Sequence, residues 1–232
     1  MLHGFGQTCR CWGPLASALA RDHEVVRLDA PGHGRSAAVR ADLGDTAALL
    51  ADQVGPAVYL GYSMGARMAL QLALDRPEVV RRLVLVGGTA GIDDPSERAA
   101  RRERDRELAE RIRRHGVDAF VRSWLDQPLF ARLPAHARFD DERRTNTPDG
   151  LVSSLELAGT GVQLPRWTEL HRLDMPVLTS AGEDDLRYAG LAQRMARAIG
   201  PNADVVLIPR AGHAAHLERP EVFVAELRSW LG

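Results

Sequence analysis

The sequence predicts an α/β fold built on a mostly parallel sheet, with helices on both faces and an all-helical insertion. Three observations carry that reading. Short apolar runs bounded by turn residues alternate with longer segments of helical period, the signature of repeated βαβ units. The short runs are nearly continuous in apolar character, as strands are when helices cover both faces. Between about Gly91 and Leu173 the strand signals stop, and charged helical segments take their place.

In chain order, a helix is expected over Trp12–Ala20, then a strand at Glu24–Leu28 and a helix at Asp45–Gln53. A strand at Ala57–Leu60 leads through a sharp turn into a helix at Met64–Asp75, followed by a strand at Leu83–Val86. The insertion opens with helices around Pro95–His115 and Val117–Trp124 and reads as a lid over the carboxyl ends of the strands, where open α/β sheets bind ligands. The alternation resumes with a strand at Val177–Ser180, a helix at Tyr188–Ala198, a strand at Asp204–Ile208 and a helix at Glu221–Leu231. At the start, Leu2-His3-Gly4-Phe5 reads as the exit of a strand that has almost no residues before it. An N-terminal hairpin and most of one central strand are therefore expected to be missing, at a cost in core burial. The whole of 1–232 reads as one domain, with the lid at about 91–173.

Composition narrows the functional classes. The net charge of −1 gives no basic surface for nucleic acid or an anionic membrane. No run approaches the roughly 20 apolar residues of a membrane helix, and the first residues carry no signal-peptide core. Cys9 and Cys11 are too close to bridge without strain and too few for a zinc site, so they read as ordinary thiols in a reducing cytoplasm. All 30 basic residues are Arg, so only position can single one out. No metal cluster, P-loop or dinucleotide fingerprint is present, and no cofactor is expected.

The strongest motif is Gly61-Tyr62-Ser63-Met64-Gly65, a G-x-S-x-G set between a strand and a helix. That context makes Ser63 the nucleophile on a strained turn, and the fold class becomes the α/β-hydrolase fold. The order Ser, acid, His then places the base at His213, just after Gly212 and beyond a strand end, with His216 as competitor. The acid falls in Gly182-Glu183-Asp184-Asp185; Asp185 is preferred and Asp184 is the alternative. His3-Gly4-Phe5 matches the loop that completes an oxyanion hole, so the backbone amides of Phe5 and Met64 are the expected donors. The loop Asp29–Ser36 reads as a structural turn. Arg67 lies one helical turn past Ser63, beside the nucleophile, and a guanidinium there needs a partner: a bound anion or an internal salt bridge.

These residues and several others resemble the menaquinone-pathway family of 2-succinyl-6-hydroxy-2,4-cyclohexadiene-1-carboxylate synthases (MenH). The resemblance lies in Gly61–Arg67, in Ser96-Glu97-Arg98-Ala99-Ala100-Arg101 with Asp105, and in Trp124-Leu125-Asp126-Gln127-Pro128-Leu129-Phe130. It continues in Gly159-Thr160-Gly161-Val162-Gln163 with Trp167, in Gly182–Asp185 and in Ala211–His216. It implies a lyase that expels pyruvate by 2,5-elimination, without adding water, on a small polycarboxylate substrate. It also implies that Arg67, Arg101 and Arg144 bind carboxylates, with Arg143 competing for the last role, and that Tyr62 and Trp124 shape the pocket. The other arginines of the first lid helix (Arg98, Arg102, Arg104, Arg106, Arg111, Arg113 and Arg114) read as a solvated face. Ala66 departs from the family's usual Gly and should crowd the elbow slightly, and Arg187-Tyr188 replaces the usual Lys-Phe. The alternatives are a serine hydrolase using the same triad on an ester, thioester or carbon–carbon bond, and a non-catalytic binding module of the same fold.

Overall fold

A computed structural model describes residues 1–232. Four parallel strands lie side by side in chain order: β1 (Ala57–Tyr62), β2 (Val80–Val86), β3 (Val177–Gly182) and β4 (Ala203–Ile208). Around them run α1 (Gly13–Leu19), α2 (Leu43–Val54), α3 (Met64–Asp75), α4 (Pro95–Leu125), α5 (Asp140–Arg144), α6 (Pro148–Ala158), α7 (Leu186–Ile199), α8 (Ala215–Glu218) and α9 (Pro220–Leu231).

The continuous apolar runs have a geometric cause. Successive strand side chains point to opposite faces, and both faces here are covered. Leu83 and Leu85 of β2 join the core formed with α2, α3 and part of α7, while Val84 and Val86 join the core formed with the insertion and α9. All four are at most 1 % exposed, and burial of each contributes about 1.5–3 kcal/mol. β4, at the sheet edge, is half open: Val205 is 38 % exposed.

One sequence expectation changes. Glu24–Leu28 does not form a strand; Leu28 makes only an isolated bridge to Leu2, which in turn bridges to Gly61 of β1. The segment beside Glu24–Leu28 contributes only Met1 and Leu2, too little for a ladder. Leu2 nevertheless behaves as a sheet residue, donating to the Leu60 carbonyl at 2.8 Å and accepting from the Tyr62 amide at 2.9 Å. At this edge Val26 and Val58 are 46 % and 43 % exposed. In the insertion the two expected helices abut as α4, with Gly116 (φ 76°, ψ 179°) interrupting the helix between them, where the sequence divides them. Asp94 caps its start by accepting from the Ser96 and Glu97 amides.

Candidate active site

Ser63 sits between β1 and α3 with φ 52° and ψ −106°, a backbone conformation disfavoured for a side-chain-bearing residue. Its neighbours allow the turn. A Cβ at Gly61 would strike the Gly65 carbonyl, and one at Gly65 would strike the Leu2 carbonyl. The Ser63 amide donates to the Val86 carbonyl at 2.8 Å, which ties the turn to the end of β2. Ala66 crowds nothing, because its methyl faces Gly88; a Cβ there would come within 2.8 Å of it.

The three side chains singled out in the sequence come together. His213 Nδ1 lies 2.9 Å from Asp185 Oδ2, and His213 Nε2 lies 3.1 Å from Ser63 Oγ. A carboxylate can only accept, so Nδ1 carries the proton and Nε2 is left to accept from the serine hydroxyl. Asp185 also accepts from the Tyr188 amide at 3.2 Å, which fixes the carboxylate from its other side. Asp184, the alternative acid, points away and pairs with Arg132 at 2.9 Å. His216, the alternative base, is 1 % exposed and packed between Trp12 and Tyr62; burial pushes its pKa down to about 3. It forms no hydrogen bond to Ser63.

The backbone amides of Phe5 and Met64 have no protein acceptor. The Phe5 loop is held from behind. His33 Nε2 accepts from the Gly6 amide at 3.1 Å, and Asp29 accepts from the amides of Cys9 and Arg35. His3 Nε2 accepts from the Ala30 amide at 3.0 Å. Burial lowers the pKa of His3 to about 4 and that of His33 to about 3, so both are neutral acceptors at pH 7. The turn Asp29–Ser36 is thus a brace for the loop that presents Phe5.

A cavity of about 720 Å³ opens over Ser63, walled by the strand ends on one side and by α4 and α6 on the other. That volume suits a small metabolite. Tyr62, Arg67, Arg101 and Trp124 line it, as expected. Arg67 is 7 % exposed, and its guanidinium donates only to neutral groups: the Ala158 carbonyl at 2.7 Å and Gln163 Oε1 at 3.4 Å. No internal salt bridge neutralises it. Burial first, then the nearby Arg101, lower its pKa to about 10, so it keeps its charge at pH 7. Arg101 is braced by Asp105 at 2.8 Å, and Asp105 also accepts from the Gly161 amide. Trp124 Nε1 is buried without an acceptor. Burial raises the Tyr62 phenol well above its ordinary range.

The expectation for Arg144 is corrected. Its side chain lies outside, paired with Asp118 at 3.3 Å and Asp141 at 3.0 Å. Arg143 lines the cavity instead, 2 % exposed, with Nε donating to the Arg138 carbonyl and a second nitrogen to the Gly6 carbonyl. On the short helix α5, adjacent residues point about 100° apart, so a one-residue slip exchanges inside for outside. The solvated-face reading of α4 also needs amending. Arg106 and Arg113 are tied to Glu103 and to Glu110 and Glu156 on the outer side. Arg104 and Arg111 line the cavity mouth on the same side of the helix as Arg101, a stripe spaced at helical period. Gln7, which sequence reasoning passed over, is also part of the wall. No group of three or more His, Cys, Asp or Glu side chains is gathered as a metal would require, and no helix is long and apolar enough to cross a membrane.

Known proteins share this fold. The family model described as "Alpha/beta hydrolase family" matches residues 1–226. A 2-succinyl-6-hydroxy-2,4-cyclohexadiene-1-carboxylate synthase of Escherichia coli O1:K1 is 33 % identical over 239 residues, covering 97 % of this chain and 90 % of that one. A Bacillus subtilis (strain 168) relative, which carries the same name provisionally, is 35 % identical over 96 % of this chain and 85 % of its own. Among solved structures, MenH from S. aureus superposes with a TM-score of 0.91 at 28 % identity, covering 99 % of this chain and 91 % of that one. A malate-bound thermophilic esterase from Thermogutta terrifontis superposes at 0.85 and 26 % identity, covering 99 % of this chain and 87 % of that one. The chain belongs to the α/β-hydrolase family and, within it, to the 2-succinyl-6-hydroxy-2,4-cyclohexadiene-1-carboxylate synthase (MenH) family.

Proposed function

We propose that this chain is a carbon–oxygen lyase of menaquinone biosynthesis. It converts 2-succinyl-5-enolpyruvyl-6-hydroxy-3-cyclohexene-1-carboxylate to 2-succinyl-6-hydroxy-2,4-cyclohexadiene-1-carboxylate and expels pyruvate. The observation that carries this reading is the pairing of a Ser63–His213–Asp185 hydrogen-bond chain with a cavity whose buried Arg67 has no anionic partner. An ester hydrolase acting on neutral substrates gains nothing from such a charge, whereas a polycarboxylate substrate completes it.

In this reading the Ser63 hydroxyl passes its proton to His213 Nε2 as Oγ removes the ring proton next to the succinyl carbonyl. Asp185 holds the imidazole in the tautomer that can accept and stabilises the imidazolium that forms. The electron pair moves onto the carbonyl oxygen, giving a dienolate that takes hydrogen bonds from the Phe5 and Met64 amides. Each such donor contributes about 2.7–4 kcal/mol when aimed at developing charge. Collapse of the dienolate breaks the ring carbon–oxygen bond and releases pyruvate as its enolate, which takes the proton held by the His213 imidazolium and so becomes pyruvate. No water enters and no acyl-enzyme forms. Arg67, Arg101 and Arg143 hold the carboxylates, and Tyr62 and Trp124 shape the pocket. The substrate's charge fits a cytoplasmic enzyme working on a small polycarboxylate.

The same hydrogen-bond chain and free amides suit acyl transfer, and the likeness to an esterase keeps hydrolysis of an anionic ester as the second reading. Incubation of the protein with the pathway intermediate, with pyruvate followed by lactate dehydrogenase, separates the two. Stoichiometric pyruvate supports the lyase. Release of an alcohol in a burst from an activated ester, with no pyruvate from the intermediate, overturns it.

A further inference from the structure

Gln7 stands at the cavity wall with its side chain in a position the mechanism above does not use. The residue is 2 % exposed. Its Oε1 accepts from the Gly4 amide at 2.9 Å, while its own amide donates to the Gly4 carbonyl at 3.1 Å. These two bonds close the turn Gly4–Gln7 around Phe5. They also fix which end of the carboxamide is which: an N–H can be met only by the oxygen, so the NH₂ must be at the opposite end. That Nε2 meets no protein acceptor, yet it is not sealed off among the fully buried, unpartnered atoms. With Gln7 on the cavity wall, the N–H groups of Nε2 are the donors of this side chain left for a ligand. Arg143 brings a cation to the same turn by donating to the carbonyl of the neighbouring Gly6, and the neutral amide of Asn146 holds the carbonyls of Gly6 and Gln7.

We propose that Gln7 is a substrate-binding residue whose Nε2 donates to an acceptor oxygen of the bound polycarboxylate, while its Oε1 holds the turn that presents the Phe5 amide. A neutral amide in this place adds directional donors where a further guanidinium would meet repulsion from Arg143. The inference rests on the polycarboxylate substrate argued above and adds a contact to it.

The test uses 2-succinylbenzoate, an aromatic dicarboxylate with the same two acid arms, as the probe. In ¹⁵N-labelled protein the Gln7 side-chain NH₂ pair, assigned by its disappearance in Gln7→Leu, should shift by more than about 0.3 ppm in the proton dimension at saturation. Calorimetry should give a Kd for Gln7→Leu at least tenfold weaker than wild type, about the effect of losing one hydrogen bond to a charged acceptor. Gln7→Glu keeps an acceptor for Gly4 and replaces the donors with an oxygen that repels a carboxylate, so its Kd should also weaken at least tenfold. NH₂ resonances that stay put at saturation, or a Gln7→Leu Kd within twofold of wild type, overturn the proposal. So does a wild-type protein that does not bind the probe. Probe binding without pyruvate release strikes the assigned reaction alone, and the NH₂ shift and Kd ratio still decide Gln7.

Discussion

Replacing Arg67 with Met tests the substrate assignment most sharply, because stability and activity should move in different directions. In the free protein the buried guanidinium is held by two neutral acceptors only. The drop in its pKa from 12.5 to about 10 corresponds to about 3 kcal/mol of destabilisation at pH 7, where the group is charged in both the folded and the unfolded chain. Met removes that cost but leaves the Ala158 carbonyl without its donor, a loss of about 1–3 kcal/mol. The balance falls between zero and about +2 kcal/mol. For a chain of this size that means a melting temperature unchanged or raised by up to about 8 °C. Turnover should behave oppositely. Leaving a substrate carboxylate buried without its partner costs about 3–5 kcal/mol, so kcat/KM for the anionic substrate should fall by about 10² to 10³·⁵. Steady-state pyruvate release gives one number and scanning calorimetry the other. A variant with a lower melting point that loses activity equally on the polycarboxylate and on a neutral activated ester would show Arg67 to be structural, and the reasoning would fail.

Four further outcomes follow from the same geometry. Ser63→Ala and His213→Ala should each reduce kcat by several orders of magnitude. Asp185→Asn should do so as well, while Asp184→Asn stays within twofold; parity between the two Asp variants in a pyruvate assay would reject the hydrogen-bond chain described. Arg143→Met should raise KM at least tenfold, while Arg144→Met, on the outer surface, should leave both constants within twofold. Double substitution of Arg104 and Arg111 by Gln should lower kcat/KM through slower capture of the anion. The effect should shrink as salt rises from about 50 to 500 mM; a salt-independent loss would argue against steering. Finally, His3, His33 and His216 are neutral in the folded chain because burial depresses their pKa values to about 4, 3 and 3. The unfolded chain protonates near pH 6.5 and the folded one resists, so stability is complete above that value and falls as pH drops. Three histidines together should cost about 4 kcal/mol between pH 7.5 and 5.5. Urea titrations at the two pH values measure it, and a loss below about 1 kcal/mol would contradict neutral burial.

The sequence was most informative where local chemistry and periodicity agree. α3 begins at Met64 and ends at Asp75 as expected, because Ser63 and its flanking glycines mark the turn and an unbroken helical pattern follows. The break between the two insertion helices was legible from Gly116 alone. What pattern cannot supply is pairing and direction. Glu24–Leu28 has strand composition, but a strand also needs a neighbour of matching length, and composition is silent on that. Arg143 and Arg144 are chemically identical, and only the helix axis of α5 decides which faces inward. Arg104 and Arg111 looked solvated because charge density hides which side of a helix meets a cavity. Their spacing from Arg101 was the available signal. Gln7 carried no motif at all; its role depends on a turn that exists only once Gly4 and Gln7 are folded together.

The methyl of Ala66 and the empty face of Gly88 share room for a single side-chain carbon. The two positions therefore cannot drift independently. Gly88→Ala should be tolerated only in a chain that already carries Ala66→Gly, so a single-step route between the two arrangements passes through a double-glycine intermediate. Gly87 next door approaches the His213 ring to 3.1 Å at its would-be Cβ, and Val86 holds the Ser63 amide. A methyl forced in at position 88 would thus spread the hydroxyl and the imidazole apart, turning a packing conflict into a loss of proton transfer.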